Sequence, residues 1–232
     1  LADAYYDGTK DEIEQARKAP KMTVQREIEV KFSLSGPEAM REALLGMGAA
    51  FKGRHHEVNL RFDDARCALS AQKIVLRLRQ TEGARGVQYI LTLKTPLPDA
   101  DPAFKILREC ETEVSDGEAM RRVLEGLGYE VYWRYEKYRE VYRWRLIEAA
   151  LDETPIGWFI ELEGPAAAIR EMVDALGLSM GNALTAGYAE LFRRVCAAQR
   201  LTARDMTFEN FAEITIRPED FLGLHEKVWE QR

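Results

Sequence analysis

The chain has 232 residues, 46% of them hydrophobic, which is enough for one large domain or two small ones with a real core. Its net charge of −6 and pI near 5.4 argue against a nucleic-acid binder, which needs a surplus of Lys and Arg to neutralise phosphates. Cys67, Cys110 and Cys196 are widely spaced and fit no zinc or disulfide framework, and no apolar run reaches membrane-spanning length, so the sequence predicts a cytoplasmic protein without a membrane partner.

Residues 1–22 are polar, carry a helical candidate at Asp11–Lys18 and read as an appendage. The first strong strand is predicted over Val24–Leu34 and contains Glu27-Ile28-Glu29-Val30-Lys31. Strand side chains alternate between faces, so Glu27, Glu29 and Lys31 share one face while Ile28, Val30 and Phe32 share the other. Taken alone, this is the solvated face of an edge strand. Ser35-Gly36-Pro37-Glu38 reads as a capping box for a helix with Met40, Leu44 and Met47 on one stripe.

A strand-rich section follows. His55-His56 reads as a loop or rim pair, and Val58–Asp63 alternates. Ile74–Gln80 sets Arg77 and Arg79 opposite Ile74, Leu76 and Leu78, Glu82–Gly86 is a hairpin turn, and Val87–Thr95 carries Lys94. Ile106–Val114 is a second acidic strand, with Glu109, Glu111 and Glu113 on one face, and Ser115–Glu118 caps a second helix. An internal repeat emerges: Glu38-Ala39-Met40-Arg41 and Gly46-Met47-Gly48 align without gaps onto Glu118-Ala119-Met120-Arg121 and Gly126-Leu127-Gly128. Tyr132–Leu146 then brings Lys137 and Arg139, Leu151-Asp152-Glu153 follows, and Trp158–Glu163 places Glu161 and Glu163 on one face. A helix runs from Gly164-Pro165 to Gly177, another over Thr185–Arg200, and a last short one from Pro218 through Trp229. The domain limits predicted are 1–22, 23–200 and 201–232. The tail either covers one mouth of the domain or contacts a second subunit in a homodimer.

Helices with apolar stripes must bury them on the apolar strand faces, which leaves the charged faces in solvent or facing one another. The number of strands is enough to close a barrel and remove its edges, and a face dominated by Glu and Arg fits an enclosed site better than an open one. Carboxylates suit Mg²⁺ or Mn²⁺, hard cations that take oxygen ligands, and Arg and Lys suit a polyphosphate. No Gly-rich phosphate loop is present, so side chains would hold the phosphates.

With these residues in place the sequence resembles the CYTH superfamily, the triphosphate tunnel metalloenzymes. Glu27-Ile28-Glu29-Val30-Lys31 is similar to that family's Glu-x-Glu-x-Lys signature. Leu76-Arg77-Leu78-Arg79, Leu93-Lys94, Glu109-Cys110-Glu111, Lys137-Tyr138-Arg139, Leu151-Asp152-Glu153 and Phe159–Gly164 follow in the family's order, and Gly187-Tyr188-Ala189-Glu190-Leu191 is similar to its closing helix. The resemblance implies an α+β fold, a closed eight-stranded antiparallel β-barrel (tunnel) with helices packed outside. It implies Mg²⁺ or Mn²⁺ on Glu27, Glu29, Asp152, Glu161 and Glu163, and a triphosphate-containing small molecule on Lys31, Arg77, Arg79, Lys94, Lys137 and Arg139. Lys31 and Glu111 are the candidate catalytic groups. Arg61 departs from the family's aromatic residue there and would alter the pocket or add a cation to it. The activity implied is a triphosphatase acting on inorganic, thiamine or nucleoside triphosphate. The alternatives are a class IV-type adenylyl cyclase and a non-catalytic polyphosphate-binding module.

Overall fold

The computed structural model describes residues 23–84, 86–97, 101–222 and 228–229; the expected helix at Asp11–Lys18 lies outside them. Eight strands form the wall: β1 (Thr23–Leu34), β2 (Ala50–Asp64), β3 (Val75–Gly83), β4 (Gly86–Pro96), β5 (Lys105–Val114), β6 (Tyr129–Trp144), β7 (Ile147–Thr154) and β8 (Gly157–Glu163). Their order is β5-β4-β3-β2-β6-β7-β8-β1, and a β1–β5 pairing closes the ring. All eight junctions are antiparallel. The closing strand is staggered: Thr23–Glu29 pairs with β5 and Glu29–Leu34 with β8. Closure pairs β1 with β5, the two strands that would be the exposed edges of an open sheet.

The strand alternation divides inside from outside as the sequence predicts. Val30, Phe32, Ile160 and Leu162 point outward and are buried under Met40 and Leu44 of α1 (Glu38–Gly46). Two elements follow in the chain, a single turn α2 (Ala68–Ala71) and α3 (Gly117–Gly126), whose Leu124 packs with Phe62 and Leu78. Ile169, Met172 and Val173 of α4 (Ala166–Ala175) complete the largest cluster. Each fully buried aliphatic side chain contributes roughly 1.5–3 kcal/mol, so the outer layer stabilises the barrel while its inner face stays charged.

A further cluster closes on α5 (Tyr188–Gln199). Phe159 has the same strand parity as Glu161 and Glu163, so it faces inward, and it is buried with Trp133, Tyr135, Tyr188 and Phe192. Residues of the tail, Met206, Phe211 and Phe221, pack into the same cluster. Met206 also exchanges backbone hydrogen bonds with Arg134 and Glu136, both 3.0 Å. This takes up the stretch of β6 beyond its pairing with β7, which begins at Tyr138.

Several local expectations change. Pro37 rather than Ser35 stands at the N-cap of α1, with no side-chain cap. Asp116 caps α3, accepting from the Ala119 amide at 2.9 Å. His55 and His56 lie inside β2, because the strand begins at Ala50. The helix expected from Pro218 through Trp229 opens as a 3₁₀ turn at Pro218–Asp220, its residues 223–227 lie outside the described residues, and Val228–Trp229 forms a short strand, β9, parallel to the end of β1. Among the described residues, no helix is long and apolar enough to cross a membrane.

Candidate active site

Inside the barrel is a cavity of about 310 Å³. It is lined by Glu27, Glu29 and Lys31 of β1, Arg77 and Arg79 of β3, Lys94 of β4, and Glu109 and Glu111 of β5. Lys137 and Arg139 of β6, and Glu161 and Glu163 of β8, complete the predicted set on its wall. The fold thus brings together every candidate residue except Asp152, which is fully buried in β7 directly behind two of the cations. Trp133, Tyr135 and Tyr188 form the aromatic part of the lining.

The cations and carboxylates interlock in groups. Asp152 accepts Arg139 through two bonds, Nε to Oδ1 and Nη2 to Oδ2, each 2.7 Å. It also accepts Lys137 Nζ at 2.9 Å and the Tyr188 hydroxyl at 2.8 Å. Asp152, expected among the metal carboxylates, is here an anchor with its oxygens occupied by these donors. Burial and the charge of Asp152 push the Tyr188 hydroxyl well above its ordinary range, so it stays a donor. Glu161 receives Lys31 Nζ at 2.8 Å and also Arg139. Burial opposes its ionisation, but Lys31 and Arg139 hold it well below the usual carboxylate range.

A second group centres on Glu111, whose Oε1 accepts Thr92 Oγ1 at 2.6 Å, Arg79 Nη2 at 3.2 Å and Arg77 Nη2 at 3.3 Å. Arg79 and Thr92 lower its pKa against the effect of burial. Arg77 also donates to the Tyr135 hydroxyl at 3.4 Å. The third group holds Glu27 and Glu29. Lys94 Nζ lies 2.5 Å from Glu27 Oε1 and 3.0 Å from Glu109 Oε1, and Lys105 Nζ lies 2.6 Å from Glu29 Oε1. Burial and the neighbouring Glu29 push Glu27 up to about 7. Burial acts on Glu29 too, but Lys105 and Lys31 override it and hold that carboxyl at about 2.

The carboxylates fit a hard divalent cation by donor type. Glu148, Glu163 and Glu29 sit in one cross-strand row, and Glu27 Oε2 is buried with no hydrogen-bond partner. Like charges directly opposite one another repel, and a buried carboxylate oxygen without a donor is costly, so positive charge is called for at this face. Among the described residues no three acidic, His or Cys side chains already converge on one point. Lysines stand between them.

Four contributors escaped the sequence reading. Glu57 is fully buried and takes Arg79 Nη1 at 3.3 Å, Lys137 Nζ at 3.6 Å and His55 Nε2 at 3.0 Å. Its burial is overridden by Lys137 and Arg79, which hold it well below the carboxylate range. Its signal was parity: it lies two residues before Asn59 on the same face of β2, one position ahead of where the predicted strand began. Lys105 was missed in the same way, one residue before the predicted start of β5. Glu148 carries no comparable signal, and Tyr188 stands in the closing-helix motif without anything there to assign its hydroxyl a role. Conversely, Glu113 is exposed and pairs with Gln88, and Arg61 lies outside the cavity lining with its guanidinium over Tyr132, 5.7 Å from the ring centre.

A closed antiparallel barrel whose inner face pairs Lys and Arg with carboxylates is the architecture of a triphosphate tunnel. The chain belongs to the CYTH domain family, which it matches over residues 25–188. It is 27% identical over 176 residues to a Methanocaldococcus jannaschii protein named "Putative adenylate cyclase", covering 71% of this chain and 97% of that one. Among solved structures it is similar to a Vibrio parahaemolyticus "putative adenylate cyclase", with a TM-score of 0.63 and 21% identity over 74% of this chain and 99% of the other. A Hippeastrum "putative adenylyl cyclase", described as having a dominant triphosphatase activity, shares the fold with a TM-score of 0.54 and 22% identity, covering 72% of this chain and 95% of its own.

Proposed function

We propose that this chain is a divalent-metal-dependent triphosphatase that hydrolyses the terminal anhydride bond of inorganic, thiamine or nucleoside triphosphate. The observation that carries this reading is the convergence of Lys31, Arg77, Arg79, Lys94, Lys137 and Arg139 on one cavity whose remaining wall is largely carboxylate. Guanidinium forks and ammonium groups bind phosphate oxygens, and oxygen ligands bind Mg²⁺ or Mn²⁺. Glu27, Glu29, Glu161 and Glu163 would hold the metal. When bound, a divalent cation there stabilises charge on the phosphoryl oxygens and lowers the pKa of a coordinated water.

The protein's own groups do the rest. Asp152 and Glu57 stand behind Lys137, Arg139 and Arg79 and fix where they present their N–H groups. Fixed donors need no reorganisation during the reaction. Arg77 turns from Glu111 to the phosphate, while Arg79 is already placed by Glu57, and the Glu111 carboxylate orients the attacking water. The water oxygen bonds to the terminal phosphorus, the bridging P–O bond breaks, and a water proton passes to a carboxylate. Lys31 offsets charge on the departing diphosphate group.

The second reading is adenylyl cyclisation, in which the ribose 3′-hydroxyl attacks the α-phosphorus and pyrophosphate leaves. The name of the Methanocaldococcus jannaschii relative favours it, and Trp133 and Tyr135, stacked with centroids 4.5 Å apart on the cavity wall, offer aromatic surface for a base. The test is product identification with Mg²⁺ or Mn²⁺: orthophosphate marks the hydrolase and cyclic AMP with pyrophosphate the cyclase. Tight triphosphate binding without turnover would leave only the non-catalytic module.

A further inference from the structure

Lys105 lines the same cavity but differs from its other cations. It faces Glu29 directly across the β1–β5 ladder, and its Nζ donates to Glu29 Oε1 at 2.6 Å. Negative charge accumulates around that contact. Glu148, Glu163 and Glu29 are cross-strand neighbours in one row, and Glu27 follows on the same face of β1. Glu27 is only 5% exposed and its Oε2 has no partner. This face therefore still calls for positive charge, although the Lys105 ammonium sits on Glu29 and that of Lys94 on Glu27.

Exposure separates Lys105 from Lys31 and Lys137. The side chains of Lys31 and Lys137 are 3% and 4% exposed and are locked against Glu161 and Asp152. The Lys105 side chain is 30% exposed, so its long stem can carry the ammonium into water without losing a packed position. A small cation with two charges and a need for several oxygen ligands suits the vacated face better than one ammonium does.

We infer that Lys105 is the resident counterion of the metal-free site, and that a divalent cation binds by displacing it from Glu29. The competition between them sets the metal affinity of the protein. This inference rests on the metal-dependent reading given above.

The test is Mn²⁺ binding by titration calorimetry on the full chain without substrate. Lys105→Gln removes the competitor and is expected to bind Mn²⁺ about tenfold more tightly, while Lys105→Arg keeps the charge and binds no more tightly than the wild type. A second readout uses the wild-type protein: saturating Mn²⁺ raises the rate at which an amine acylating reagent modifies Lys105, followed by peptide mass spectrometry. That readout decides the matter should Lys105→Gln fail to fold. Unchanged or weaker Mn²⁺ binding by Lys105→Gln overturns the inference, as does acylation indifferent to Mn²⁺. So does weaker inorganic triphosphate binding with Mn²⁺ affinity unchanged, which would make Lys105 a phosphate ligand. If the wild type binds no Mn²⁺ at all, the metal-dependent reading falls with it; if it binds and Lys105→Gln is unchanged, only the role of Lys105 falls.

Discussion

Arg139 and Asp152 face each other in register on neighbouring strands β6 and β7 and form a two-pronged ion pair, both contacts 2.7 Å, with Asp152 fully buried. The pair ties a cavity-lining cation to the barrel wall. Because the same carboxylate also receives Lys137 and Tyr188, it organises three donors at once.

Asp152→Asn removes the buried carboxylate that Lys137 and Arg139 share, leaving Lys137 only Glu57 and Arg139 only Glu161. Breaking one side of such a network costs about 3–5 kcal/mol, so the variant should melt well below the wild type and lose most triphosphate turnover. Differential scanning calorimetry and a phosphate-release assay check both. A melting temperature within a degree of wild type would show that Asp152 does not anchor these cations.

Glu161→Gln removes a negative charge held by Lys31 and Arg139 while keeping the size of the side chain. We expect at least a hundredfold loss of metal-dependent turnover, with an unchanged circular-dichroism spectrum. Wild-type turnover would rule Glu161 out of the metal group.

Arg77→Ala removes one of the two guanidiniums shared by Glu111. Its loss should raise KM for inorganic triphosphate by about tenfold, the effect of losing one charge-assisted contact. Steady-state kinetics with inorganic triphosphate measure it, and an unchanged KM would place Arg77 away from the substrate.

Glu27 sets the pH dependence of the metal-free fold. Its pKa is raised from 4.5 to about 7, by burial first and by Glu29 second. A raised carboxyl contributes stability fully present below its unfolded pKa and lost as pH rises through the folded value. Stability should therefore fall by about 2–3 kcal/mol between pH 5 and pH 8. Glu163 moves the same way but is exposed at the wall, so it adds less. Glu29, Glu57 and Glu161 are depressed, and their contributions are lost only below pH 4.5, outside this window. Thermal unfolding in chelator at pH 5, 6, 7 and 8 checks the slope, which Glu27→Gln should flatten and Mg²⁺ at pH 8 should reverse. A rising slope would contradict the account.

Phe221 tests the tail. It is buried and lies 5.6 Å from the Phe159 ring, which belongs to the barrel interior. Phe221→Ala should cost about 3 kcal/mol of stability through the cavity it leaves. Denaturant unfolding measures it; a loss under 1 kcal/mol would mean that the tail is only draped on the barrel.

Much of the barrel was legible because strand parity is a local property. Glu27, Glu29 and Lys31 share a face whatever they touch, and so do Arg77 and Arg79. What parity cannot give is the partner. That Arg79 lies between Glu57 and Glu111 depends on strands joining through the β2–β3 and β4–β5 ladders, set by closure of the whole ring. The resemblance assigns Asp152 to the metal carboxylates from its motif alone, and only the fold reveals four bonds from Arg139, Lys137 and Tyr188 on its two oxygens. The place of the tail is not a local property either: apolar residues of 201–222 carry no strand or helix period that names their partner, and the cluster they join is built by β6, β8 and α5.

The central claim is tested most directly by incubating the protein with inorganic triphosphate or ATP, with and without Mg²⁺ or Mn²⁺, and separating the products by ion-exchange chromatography. The account predicts orthophosphate with diphosphate from inorganic triphosphate and orthophosphate with ADP from any ATP consumed, in each case only with metal. Cyclic AMP and pyrophosphate from ATP, or tight triphosphate binding with no product, would contradict it.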